Sequence, residues 1–429
     1  MKNKLFFTVV ILLTIISLFL KKEPIRKKET YSYLLSKKEF YKKIKNHPSW
    51  MNDQIEKDFK FLKENKVSLN ALEETLKKAQ TDFREGKDAF VRYRIVDNKL
   101  YQFLDYDQKL SKKEEVFEKA LKTILSFIKV EDIDFIFSTI DGIPDPKNNN
   151  ITTSYFENRR DFYLIKDKNL QAPILTRAKS SNVKEAILIP DYWLLSELWK
   201  KTQMEILDLD SKISWDEKNE IIFWRGASSK ASRFTLCEIS LNNNLVDAGF
   251  CDYFITDKDK ELKLWNKTDI YSKLLKNHST IEEQLKYKYL PVLDGVMCTY
   301  PGYQWRLLSN SVTFKQGSDE EQWFYSALKP YEHYIPVKND LSDLVDKINW
   351  AKENDDQCRK IAKNSTEFVL NNLMYEDIYV YFYKVLKEYA KHQTFSKEEL
   401  KNDLKKDKRW MNISDRRKTN KKIQKEDKN

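Results

Sequence analysis

Two short loops hold the residues best placed to do chemistry. In Asp141-Gly142-Ile143-Pro144 a carboxylate directly follows the apolar run Asp134–Ile140. A carboxylate at a strand end can take a proton from an incoming hydroxyl within hydrogen-bond reach, although Asp-Gly-x-Pro is also an ordinary turn. The second loop, Arg225-Gly226-Ala227-Ser228-Ser229-Lys230-Ala231-Ser232-Arg233, crowds two arginines, one lysine and three serines behind the apolar run Glu220–Trp224. Guanidinium forks, backbone N–H groups and the start of a helix expected from Phe234 all suit a diphosphate. Neither GxxxxGK[ST] nor GxGxxG is present, and such a loop taken alone is commonly a surface turn.

Other constellations are weaker. Asp105-Tyr-Asp107, Asp208-Leu-Asp210 and Asp257-Lys-Asp259 match a D-x-D pattern that can hold a divalent metal, but with 66 acidic residues such triplets arise freely. The four histidines are scattered and show no zinc spacing, so no metal site is expected. Cys237 and Cys251 read equally as a disulfide in an oxidising lumen or as buried thiols.

The loops need elements to carry them. Short apolar runs at Asp134–Ile140, Ala186–Pro190, Glu220–Trp224, Leu290–Leu293, Ser311–Phe314 and Tyr334–Val337 read as strands. Helical segments such as Thr280–Tyr287 and Leu341–Asn354, with Asp340 as a helix cap, separate them, which predicts an α/β protein with mostly parallel sheets. Residues 31–130 read as mostly helical, notably Gln54–Gln80 and Lys112–Val130, and 341–393 as successive helices. The polar stretch Asp208–Lys218 marks a boundary near residue 215 between two strand-and-helix blocks, whose junction is the expected ligand cleft.

Composition bounds the class. With 429 residues, 41% hydrophobic and 13% aromatic, the chain can enclose two or three domains, and disorder, collagen-like repeats and a disulfide scaffold are excluded. The net charge of +11 sits at the ends: residues 1–30 carry +5 and 391–429 carry +7. The body is balanced, which argues against a nucleic-acid partner. Leu5–Leu20 is uncharged and flanked by Lys2, Lys4, Lys21 and Lys22, with no small-residue cleavage pattern after it. It reads as an uncleaved signal anchor and single-pass membrane segment, in a bacterial inner membrane or, in a eukaryote, the endoplasmic reticulum or Golgi. The positive flank favours a cytoplasmic body, an ordinary type II anchor a lumenal one. Sequons such as Asn150-Ile-Thr would permit glycosylation in a lumen.

The segments Glu220–Arg233 (EIIFWRGASSKASR), Leu285–Gly295 (LKYKYLPVLDG), Leu307–Gln316 (LLSNSVTFKQ), Trp323–Leu344 and Trp350–Ala362 resemble the family 90 glycosyltransferases, over about residues 130–390. That family includes Rumi-type protein O-glucosyltransferases, capsule-associated proteins and lipopolysaccharide-modifying enzymes. The resemblance implies a GT-B-like fold of two facing α/β lobes with a central cleft, a UDP-glucose or UDP-xylose donor, inversion at the anomeric carbon and no required metal or other cofactor. It puts the general base on Asp141 and the diphosphate-binding arginine on Arg233, with Trp224, Arg225, Gly226, Ala227 and Ser228 along the nucleotide. Two departures stand out: Ala227 occupies a common serine position, and Gly302 occupies an arginine position nine residues before Ser311, leaving Arg306 as the nearest substitute. The expected acceptor is a glycan, lipopolysaccharide or protein serine hydroxyl. The alternative is a catalytically inactive, membrane-anchored binding or scaffold protein. The implied divisions are an anchor over 1–24, a helical region over 25–130, an acceptor lobe over 131–215, a nucleotide-sugar lobe with closing helices over 216–385 and a basic tail over 386–429.

Overall fold

The computed structural model describes residues 35–83, 86–104, 111–147, 161–252, 273–298 and 301–416. The proposed anchor at 5–20, the D-x-D triplets at 105–107 and 257–259, and Asn150 lie outside the described residues. Among those described, no helix is long and apolar enough to cross a membrane.

Helices α1 (Lys37–Lys45), α2 (Ser49–Phe59) and α3 (Leu69–Asp82) come first. The continuous helix expected over Gln54–Gln80 is broken after Phe59: the chain tightens into a 3₁₀ turn at Lys60–Lys63, then restarts where Ser68 Oγ accepts the Ala71 N–H at 3.0 Å. A serine cap satisfies one of the N–H groups left without an intrahelical partner, so Ser68 favours a fresh start there.

Strands β1 (Phe90–Val96) and β2 (Lys99–Phe103) then form a hairpin inside the region expected to be helical. Asp97 and Asn98 make its turn at φ 51° and 60°, the left-handed geometry that matches strand twist. The β1 sequence FVRYRIV is aromatic and β-branched, and its two charged members are buried by pairing across the sheet. Arg92 holds both oxygens of Asp134 at 2.8 Å, and Arg94 Nε reaches Asp134 Oδ2 at 2.8 Å.

Helix α4 (Lys112–Phe127), β3 (Ile133–Ser138), β4 (Ile174–Thr176), β5 (Lys179–Ser180), β6 (Ala186–Leu188) and α5 (Glu197–Asp210) complete the first half. The second half runs β7 (Asn219–Ala227), α6 (Ala231–Asn242), β8 (Val246–Asp252), α7 (Ile281–Leu285), β9 (Tyr287–Val292), α8 (Gly302–Leu308), β10 (Val312–Gln316), β11 (Glu320–Glu321) and β12 (Ile335–Val337). Helices α9 (Leu344–Glu353), α10 (Asp355–Asn372), α11 (Tyr375–Ala390) and α12 (Lys397–Lys406) and strand β13 (Trp410–Asn412) follow. Asp340 does not cap α9 directly; its carboxylate accepts the Ser342 N–H at 3.0 Å in the turn before that helix.

Two larger sheets result. The first has the order β13-β2-β1-β3-β4-β6, with β3, β4 and β6 parallel. The second, β12-β10-β9-β7-β8, is parallel throughout. The chain changes sheet between α5 and β7. A mixed α/β fold with parallel sheets is therefore present, and its topology holds two surprises.

Helix α11 returns to pack on α1, α2, α4 and β3 rather than closing the second half. It is buried on nearly every side, Ile378, Val380, Tyr381, Phe382, Val385 and Leu386 all fully so, with Tyr379 Oη donating to Leu195 O at 2.9 Å. Nor do residues 387–416 trail off as a tail. Leu400 of α12 is buried, β13 pairs with β2, and the Trp410 ring lies 4.0 Å from the Arg94 guanidinium carbon. These apolar contacts sit among so many lysines that composition hides them.

The strand ends that matter meet. Beyond β4 and β10, strands β5 and β11 form an antiparallel ladder, and Ser181 N–H donates to Asp319 O at 2.7 Å. Ile143 pairs with Lys179, so the loop after β3 joins the same junction.

Candidate active site

Asp141 lies just past the C-terminal end of β3, where Gly142 adopts φ +152°. A side chain at Gly142 would be strained there, and its Cβ would stand 2.8 Å from Ala178 O and 3.0 Å from Met297 Cγ. The loop is thus pinned from two sides. Arg177, 7% exposed, pairs with the Asp141 carboxylate, and Lys113 Nζ on α4 lies 3.5 Å from the same oxygen. About a third of the Asp141 side chain remains exposed, which leaves it reachable by an incoming group.

A small pocket behind Asp141 is lined by Lys113, Phe137, Arg177, Asp191 and Tyr192 among others. Asp191 Oδ1 accepts the N–H groups of Trp193 and Leu194, and burial pushes its carboxyl up from the ordinary carboxylate range against the pull of Arg177.

On the other half, Arg233 sits in the first turn of α6. Its guanidinium donates to Asp294 O at 2.8 Å, Ala227 O at 3.0 Å and Leu293 O at 3.3 Å, and lies 5.6 Å from the Trp224 ring. Burial lowers it to about 10, with Asp294 pulling the other way. Gly226 is required by its neighbour: a Cβ there would come within 2.6 Å of Trp224 Cζ2. Ser228 is buried in the same loop.

Not every residue singled out from the sequence gathers here. Arg225 turns to β8, donating to Asp247 Oδ1 at 2.8 Å and Asp247 O at 3.1 Å. Ser311 stands at the start of β10, away from the strand end that bears Gln316, and donates to Tyr287 O while accepting from Lys218 at 2.9 Å. Arg306 is buried on α8, donating to Gly302 O at 3.0 Å and Gln284 Oε1 at 3.2 Å. Burial, reinforced by Arg233, lowers Arg306 to about 9.

Residues the sequence reading missed join the two sides. Asp294 lies two residues past the end of β9 with its carboxylate wholly buried; Lys230 Nζ is 3.9 Å and Lys315 Nζ 4.0 Å from it. Gln316 Oε1 accepts both the Asp294 N–H at 3.1 Å and the Ser232 hydroxyl at 3.2 Å. Glu320 accepts from Ser180 at 3.2 Å, and burial pushes it up to about 7 despite Lys230, with Asp294 adding to the rise. The segment Leu293–Met297 touches Arg233 at one end, through Leu293 O and Asp294 O, and the Gly142 loop at the other. The only sequence sign was the Asp294-Gly295 pair behind an apolar run.

Among the described residues no group of three or more His, Cys, Asp or Glu is placed to share a metal ion. Of the D-x-D triplets, Asp208 pairs with Lys212 at 2.7 Å. Cys237 is buried, its thiol pushed up to about 12 by burial, and forms no disulfide with Cys251.

The profile of glycosyl transferase family 90 matches residues 46–427. The chain belongs to glycosyl transferase family 90. Among its relatives in that family, it is 29% identical to human protein O-glucosyltransferase 3 over 82% of this chain and 63% of that one. It is 31% identical to zebrafish protein O-glucosyltransferase 2 over 56% of this chain and 47% of that one, and 32% identical to rat protein O-glucosyltransferase 1 over 46% and 48%. It therefore spans about three fifths or less of these family 90 relatives. A crystallised glycosyltransferase from Rickettsia africae ESF-5 overlaps 55% of this chain and 68% of its own at a TM-score of 0.34 and 9% identity.

Proposed function

We propose that this family 90 member is an inverting glycosyltransferase that moves glucose or xylose from a UDP-sugar to a hydroxyl, without a required metal. The single observation that carries the reading is the segment Leu293–Met297, which touches both the loop of Asp141 and the half-buried Arg233. Two lobes of a GT-B-like pair then face each other across that junction. The names of the relatives favour glucose as donor sugar and a protein hydroxyl as acceptor, ahead of a glycan or lipopolysaccharide. Residues 5–20 tether the body to a membrane.

In this reaction Asp141 takes the proton of the acceptor hydroxyl as its oxygen bonds to the anomeric carbon. The bond to the UDP oxygen breaks on the opposite face, UDP leaves with the electron pair, and the product is inverted. Arg233 and the N–H groups at the start of α6 stabilise the departing diphosphate, a role for fixed donors in a water-poor site. Trp224, beside Arg233, and Gly226, which makes room for it, shape the nucleotide side.

UDP release from UDP-glucose, assayed on residues 25–429 with and without EDTA, tests the reading. The expected outcome is turnover that survives chelation and falls at least ~100-fold in Asp141→Asn, a loss of about 2.7 kcal/mol of transition-state stabilisation. Unchanged turnover in that variant removes Asp141 from the mechanism.

A further inference from the structure

Asp294 is a buried carboxylate without hydrogen-bond donors, 0% exposed and with neither oxygen accepting a hydrogen bond. Lys230 and Lys315 lie 3.9 Å and 4.0 Å away, near enough to supply charge but too far to donate. A buried carboxylate with charge nearby but no hydrogen-bond donor is only partly compensated for its lost hydration, which suits a place where donors arrive with a ligand.

Its position says which donors. The Asp294 backbone carbonyl holds Arg233 at 2.8 Å, and the residues after it lead to Met297 against the Gly142 loop. If Arg233 grips the diphosphate and Asp141 activates the acceptor, the sugar between them must lie along Leu293–Met297. A carboxylate repels phosphate oxygens and welcomes neutral hydroxyl donors, of which it can accept several. A metal is disfavoured by the two ammonium groups beside it. Lys230 keeps 16% of its side chain in solvent, which makes it the member of the cluster whose movement opens the way.

We infer that Asp294 reads the donor sugar by accepting hydrogen bonds from its hydroxyls, with Lys230 as the neighbour that yields to admit them. This rests on the UDP-sugar reading above. Carboxylate recognition of hydroxyls makes Asp294 a determinant of which sugar is used rather than of nucleotide affinity.

Calorimetric titration with UDP, UDP-glucose and a set of UDP-deoxyglucoses, each lacking one hydroxyl, tests it. In the unaltered protein at least one deoxy donor should bind ten-fold or more weakly than UDP-glucose. In Asp294→Asn that penalty should shrink to within about two-fold while UDP binds as before. Equal binding of every deoxy donor by the unaltered protein overturns the inference, whatever the variant does, and so does a penalty that persists in a folded Asp294→Asn. Weakening of UDP and UDP-glucose by the same factor would mark Asp294 as structural and also overturn it. Absence of any UDP or UDP-glucose binding by the unaltered protein defeats the functional reading itself, and this inference with it.

Discussion

Arg177 reaches back from the end of β4 to pair with the Asp141 carboxylate, and its guanidinium carbon lies 5.1 Å from the Tyr192 ring. The proposed base is therefore held by a side chain that is itself held. Losing the pair frees Asp141 to rotate, and misplacement of a base by about 1 Å can cost on the order of 100-fold. Arg177→Gln should lower kcat by about 10- to 100-fold with KM for the donor little changed, and Arg177→Lys should recover part of the loss. Steady-state kinetics that show a KM effect alone would assign Arg177 to binding instead.

Arg233 makes three contacts to backbone carbonyls, so its charge is aimed before any ligand arrives. Arg233→Ala should weaken UDP affinity by about 10- to 100-fold, the range of a charge-assisted hydrogen bond worth about 1.5–3 kcal/mol. Calorimetry returning equal UDP affinity would refute the role.

Glu320 links stability to pH. Its carboxyl is pushed up to about 7 in the fold from an ordinary 4.5. Between those values the folded state holds a proton that the unfolded state has released, so stability falls as pH rises, by up to about 3 kcal/mol once pH exceeds 7. Asp377, raised to about 6 by burial, acts in the same direction at lower pH. Glu320→Gln should flatten the decline in Tm between pH 5 and 8, and an unchanged slope in thermal melts would exclude Glu320 as its source.

Trp410 is 8% exposed and packs on both Arg94 and Phe103. Trp410→Ala should cost about 3–5 kcal/mol, as emptying a large aromatic site does. The urea midpoint measures it, and a shift smaller than that of a surface substitution would show that β13 contributes little.

Where a strand ended in an informative residue, the sequence was readable. Gly142 marked the loop of Asp141 because a scarce glycine behind an apolar run signals a turn at a strand end, whereas Gly226 lies inside β7, which runs on to Ala227 before the chain turns. Arg177 was not readable, since β4 is three residues long and its partner is 36 positions away. Arg92 and Arg94 disguised β1, because their burial depends on Asp134, which only folding brings alongside. Asp294 was not singled out, because its isolation from donors exists only in three dimensions. In each case the missing information was a long-range neighbour.

Because α11 and β13 complete the first half, the order of synthesis and the order of assembly cannot coincide. A ribosome will have released residues 90–210 long before Tyr389 or Trp410 emerges to cover them. The nascent first sheet must wait with an apolar face and the β2 edge open, the condition under which chains misassociate.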